Sequence, residues 1–475
     1  MPFREVLAAI AACLLPMLAA PRAFAEDASP DETVAYEAFH RASERHNGGD
    51  LNGAVADYTR AIALGLDFAI VYNNRALARQ GRGDLDGALA DFTKAIEVDP
   101  KLALAYGNRA ALEKRRGNFR AVLADLDRLV ELDPVFAPAL NDRGQMRQDK
   151  GDLDGALADY NQAIELGPQF ALAFYNRGLV LQMKGKVEDA IADFSRSLEL
   201  DPRDANAYAA RGAARQSKGD LDGALADYDH ALQWAPKLPM VYNNRGIIKK
   251  SRGDIDGAIA DYIRAIELDR RYANAYANRG DARQAKGDLI GAIFDYNHAL
   301  ELDPKMDAAY NNRGFVRQAR GDLDGALADF DRAILLNSQY ALAFKNRGGV
   351  ENDRHAYEKA LVDFDRAIEL SPNFALAYYG RGCTKLLLSN YDGAIADYNR
   401  AIELDPKSPF AFLKRGLAKK AKDDLPGALA DCDRAIELDP LDAEAYADRG
   451  AVRQALGDAT GALADFGKAT EVRSK

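Results

Sequence analysis

The sequence predicts an all-α fold, an α-solenoid superhelix of thirteen helix-turn-helix units, and three observations carry that prediction. The first is a 34-residue period: steps of 34 from Arg279 reach Arg at every stop from Arg41 to Arg449, and steps from Asp295 reach Asp from Asp57 to Asp465, without a gap or insertion. The second is a pair of small slots, with Gly or Ala at the Gly280 slot in all thirteen units and Ala at the Ala292 slot everywhere except Val122. The third is Pro at the Pro304 slot in nine units. A unit of this size buries its apolar face only against its neighbours, so the core is spread along the array.

Residues 273–306 show why the unit is a helix pair. Tyr276, Gly280 and Arg283 fall at i, i+4, i+7, and Ala292, Tyr296 and Ala299 repeat that spacing, so two short amphipathic helices are expected. Gly287 suits the left-handed position that ends the first helix, and Asp288 can cap the second. Pro304 stops the second helix, because it lacks an N–H and pushes the residue before it out of the helical region. The small Gly280 and Ala292 slots let the two helices pack closely and antiparallel. That arrangement sets Arg279 near Asp295, within reach of a charge-assisted hydrogen bond, so an internal pair repeated thirteen times is expected instead of a ladder of ligand-binding arginines.

A 34-residue period with Tyr276, Gly280, Ala292, Tyr296, Ala299 and Pro304 at these places resembles the tetratricopeptide repeat over residues 35–475. Arg279 and Arg283 replace the Leu and Tyr common in that family and are similar to a subset with an N-R-G signature. The array also resembles the superhelical repeat region of O-linked N-acetylglucosamine transferases. The resemblance implies that the first helices line a concave surface that binds an extended peptide or a partner protein.

Taken in order, residues 1–25 read as a secretory signal peptide: Arg4, an apolar run from Val6 to Ala20, then Ala23-Phe24-Ala25. The run is too short for a membrane span and is broken by Pro16, so no span is expected. A rival reading takes Ile10-Ala11-Ala12-Cys13 as a lipoprotein box. Residues 26–34 are read as a polar leader, and residues 35–475 as the array, its uninterrupted register leaving no room for a catalytic insert. The last helix, with no separate capping helix after it, is expected to offer a docking or self-association edge.

The chain carries −10, and removing Arg4, Arg22 and Glu5 takes away +1, leaving −11 and no basic footprint for nucleic acid. Cys383 and Cys432 remain; Cys432 falls in the aromatic core slot and Cys383 in a slot expected to be exposed, so no disulfide is expected. The recurrent G-D-L-D-G run lacks the third acidic place of a calcium loop and reads as helix capping. Five His without metal or nucleophile spacing, and no phosphate loop, point away from an enzyme and from any cofactor.

Two sets of binding residues are expected. The slot before the Arg holds Asn74, Asn108, Asn176, Asn244, Asn278, Asn312 and Asn346, with Asp142 and Asp448 as close variants. An Asn amide offers donor and acceptor together, so the resemblance implies a ladder gripping peptide backbone; the bland alternative is that these amides bridge adjacent units. Gln80, Gln148, Gln182, Gln216, Gln284, Gln318 and Gln454 would widen the polar groove. The second set is Leu386 and Phe410, where units ten to twelve break pattern, read either as local repacking or as an apolar hot spot. The function expected is an exported, non-enzymatic scaffold for a protein or extended peptide, or else the recruiting arm of a separate envelope enzyme. Periplasmic or secreted localisation follows from residues 1–25.

Overall fold

The computed structural model describes residues 30–474, and the segment read as a signal peptide, with Cys13, lies outside the described residues. Twenty-six helices follow one another there, two per repeat and with no strand between them. The first helix starts at Pro30, so residues 30–34, expected in the leader, already belong to the array. The described residues fall into two compact units, divided between Pro236 and Lys237. Within each unit, first and second helices of a repeat pack on each other, and each second helix packs on the first helix of the next repeat.

The repeat at 273–306 folds for the reasons its residues give. Its first helix, Ala273–Ala285, ends before Gly287, which takes φ 84°. Asp288 then caps the second helix, Leu289–Leu302, its Oδ1 accepting from the Gly291 amide at 2.9 Å. The Gly280 slot must be small because a Cβ there would stand 2.8 Å from Cε1 of Tyr296, a ring with no exposed surface.

The Arg–Asp pair is present in all thirteen repeats. Arg279 donates from Nη2 and Nε to the two oxygens of the fully buried Asp295, at 2.6 and 2.9 Å. Its guanidinium also lies 5.5 Å from the centre of the Tyr276 ring. In many repeats the third guanidinium nitrogen reaches back to the preceding second helix, as in Arg177 to Asn161 at 2.7 Å and Arg347 to Asp331 at 2.6 Å. One side chain therefore ties its own repeat together and joins it to the one before. Sequence reading missed a further partner: the Arg283 slot supplies a second cation to the same carboxylate, Arg283 Nη1 lying 2.9 Å from Asp295. Ten repeats have it; the exceptions carry Glu113, Leu181 and Glu351 in that slot.

Units ten to twelve are irregular in their backbone as well. The slot of Gly287 there holds His355, Ser389 and Asp423, and all three keep the left-handed turn, at φ 60°, 58° and 66°. A side chain in that region costs roughly 1–2 kcal/mol, partly offset by the greater freedom glycine has when unfolded. Ser389→Gly is therefore expected to raise stability by about 0.5–1 kcal/mol in urea melts. An unchanged or lower midpoint would contradict a strained turn.

Candidate functional site

The expected Asn ladder lies on the first helices, and the structure gives its members different surroundings. Asn108, Asn176, Asn278 and Asn346 each donate Nδ2 to an Asn one repeat back, Asn73, Asn141, Asn243 and Asn311, at 2.9 Å in every case. Three of these donors, Asn108, Asn176 and Asn346, are buried. The amides of Asn73, Asn243 and Asn311 turn to the next residue, donating to Asn74, Asn244 and Asn312 at 3.2, 3.4 and 3.1 Å. Asn312 in turn donates to Asp281 at 2.9 Å. Asn74, Asn244, Asn278 and Asn312 are half-buried and reach the surface of the first helices. The slot thus holds both amides enclosed between repeats, Asn108, Asn176 and Asn346, and amides that remain partly accessible, Asn74, Asn244, Asn278 and Asn312.

The glutamines are tied in similarly. Gln148, Gln216 and Gln284 accept from the hydroxyls of Tyr160, Tyr228 and Tyr296 at 3.1, 2.7 and 3.0 Å. Gln318 donates to Asp353 at 2.8 Å.

The second expected set separates. Phe410 is 57% exposed on its first helix, in one slot with Leu376 and Leu342 of the two preceding repeats, both also exposed. Leu386 instead packs half-buried against Ala394, Tyr398 and Ala418, while its neighbours Leu387 and Leu388 are exposed. Cys383, expected to be exposed, is half-buried, with the Tyr398 hydroxyl 3.4 Å from its sulfur, and burial pushes its thiol up.

Two cavities open on the first-helix face, one in each unit. In the second unit a cavity of about 420 Å³ lies between the first helices 307–319 and 341–353, lined by Phe315, Gln318, Lys345, Asn346 and Asp353. Lys345 donates to Asn346 at 3.1 Å, and burial lowers its ammonium's pKa. In the first unit a cavity of about 220 Å³ lies among the first helices 103–116, 137–149 and 171–183, with Leu126 and Leu129 of a second helix at its floor. Equivalent slots line both, among them those of Ala277, Asn278 and Asp281.

Models of one family match the sequence repeatedly. Those described as tetratricopeptide repeat or TPR repeat cover residues 69–102, 144–185, 171–204, 205–238, 246–287, 273–306, 312–373 and 375–408, together more than half of the chain. The chain belongs to the tetratricopeptide repeat family. No sequence among the curated proteins matches it. Among solved structures it is similar to Cut9–Hcn1 of the APC/C, at 14% identity over 86% of this chain and 95% of that one, with a TM-score of 0.49. It is similar to yeast Tom70, at 18% identity over 92% and 96%, with a TM-score of 0.39. It is also similar to YrrB, described as a TPR protein with an unusual peptide-binding site, at 25% identity over 41% and 97%, with a TM-score of 0.34. Tetratricopeptide repeats are interaction scaffolds, typically non-catalytic, that bind proteins or peptides. No helix of the described residues is long and apolar enough to cross a membrane.

Proposed function

We propose that this tetratricopeptide repeat chain is an exported, non-enzymatic scaffold that holds an extended segment of a partner protein along its first-helix face. The observation that carries the reading is the position of the two cavities, which open between successive first helices on equivalent slots in both units. Asn74, Asn244, Asn278 and Asn312 border that face half-buried, with amides that would share or exchange their internal bonds with peptide N–H and C=O groups, while the buried Asn108, Asn176 and Asn346 hold repeats to one another. Phe315 and Phe410, each on a first helix, supply exposed apolar contacts.

An array of unstructured peptides, screened with the whole chain, tests this. Phe315→Lys and Phe410→Lys on first helices should each weaken the best binders by about tenfold, the loss of one well-buried aromatic contact. Phe294→Lys and Leu335→Lys, also exposed but on second helices, should leave binding unchanged. The reverse pattern would reject the first-helix face.

Export rests on residues 1–25, which have the charge, apolar run and small-residue end of a signal peptide. Deleting residues 2–25 should move the chain from the envelope fraction to the cytoplasm. An unchanged distribution would reject export.

A further inference from the structure

The repeat at 103–136 departs from the others where its second helix meets its first. The Tyr296 slot holds an aromatic ring in eleven of thirteen repeats, and here it holds Leu126. Elsewhere that ring fills the space beside the Gly280 slot: Cε1 of Tyr160, Phe194 and Tyr228 would stand 2.8, 2.7 and 2.8 Å from a Cβ built on Gly144, Gly178 and Gly212. Leucine cannot fill the same volume. The repeat at 409–442 has a similar deficit at Cys432 and makes it good from the first helix, where the fully buried Leu413 packs against the sulfur-bearing residue. In the repeat at 103–136 the slot of Leu413 is Gly107; Val122 and Leu129, larger than the Ala of most other repeats, reach in from the second helix, and a cavity remains between them and Gly107.

The cavity of about 220 Å³ is lined there by Gly107, Ala110, Leu126, Leu129 and Phe136. Asp142 and Lys114 both line it. Burial pushes the Asp142 carboxyl up, against the opposing pull of Lys114 and of a hydrogen bond from Asn141.

We propose that this cavity receives an aromatic side chain of the bound segment, with a Lys or Arg next to it meeting Asp142. The inference rests on the peptide-binding reading above and adds the identity of one anchored residue. A ligand ring here occupies the place that a Tyr or Phe of the chain itself occupies in eleven other repeats, and gains the same apolar contacts. A cation beside it returns to the Asp142 carboxylate the stabilisation that burial removes, on a chain whose net charge is −10 and so favours basic partners.

The test uses three blocked Gly-Ser peptides with Lys-Phe-Lys, Lys-Ala-Lys or Glu-Phe-Glu at the centre, titrated into the whole chain by fluorescence anisotropy. The Lys-Phe-Lys peptide should bind about tenfold or more tighter than the other two. Leu126→Phe, which restores the ring of the other repeats, should bring its affinity down to that of the Lys-Ala-Lys peptide while the melting temperature holds or rises. Gly107→Leu copies Leu413 and should do the same from the first helix, where a Cβ would meet only the tip of Leu129, at 3.3 Å. A packing defect in one variant therefore leaves the other as a reading. Asp142→Asn should abolish the preference for Lys over Glu flanks and keep the preference for Phe over Ala. Equal binding of the three peptides, or binding undiminished in both filled variants, overturns the aromatic anchor and leaves the scaffold reading standing. Binding of none overturns the anchor, and if the peptide array is blank as well, the scaffold reading falls with it.

Discussion

Arg177→Leu is expected to lower stability by about 3–5 kcal/mol, more than the same substitution at any repeat that carries a second cation. Asp193, its partner, is 6% exposed and takes both Arg177 bonds at 2.7 Å, and the slot that elsewhere sends a second cation holds Leu181. Removing the guanidinium leaves a buried carboxylate with no counter-charge from its own repeat, and cuts the bond from Arg177 to Asn161 of the preceding second helix. Arg279→Leu is the comparison. Asp295 loses two hydrogen bonds but keeps Arg283 at 2.9 Å as a counter-charge, so the loss should be clearly smaller than at Arg177, about 1.5–3 kcal/mol. Arg177→Leu combined with Asp193→Leu should recover much of the single-variant loss, because the desolvated charge is gone. Equal losses at Arg177 and Arg279 in urea melts, or strict additivity in the double variant, would contradict this account of the pair.

Asn346→Ala is expected to cost about 1–3 kcal/mol, since it strips a partner from the side-chain oxygen of Asn311, which is 2% exposed. Asn244→Ala should cost clearly less, because its residue is half-buried and its side-chain oxygen accepts only a long 3.4 Å bond from Asn243. Melting temperatures of the two variants decide the point. Equal losses would mean that the difference between enclosed and accessible amides has no energetic content.

The fold was legible because its signal is local and repeated thirteen times. Gly287 and Asp288 act within a few residues of their own positions, and the Arg279–Asp295 pair follows once two helices are known to lie antiparallel with small residues at their contact. What was not legible depends on neighbouring repeats or on side-chain reach. Arg283 stands where the family often has Tyr, and only its direction in space shows that it shares Asp295. The Asn108–Asn73 bond joins residues 35 apart, one more than the period, an offset absent from the pattern within a unit. Leu386 and Phe410 look equally apolar in sequence, yet one faces Tyr398 and the other solvent. The cavity at Leu126 needs both of its small walls, and its signal was in the sequence: Gly107 and Leu126 fall short in the same repeat, whereas Leu413 compensates Cys432.

The central claim is that partners engage the first-helix face. Site-specific photocrosslinking in native cells tests it most directly, with benzoylphenylalanine placed singly at Met240, Phe315 and Phe410 on first helices and at Phe294, Leu335 and Val362 on second helices, all of them exposed. The account predicts one partner band or set of bands from the three first-helix positions and none from the three second-helix positions. Adducts arising from the second-helix positions alone would contradict it.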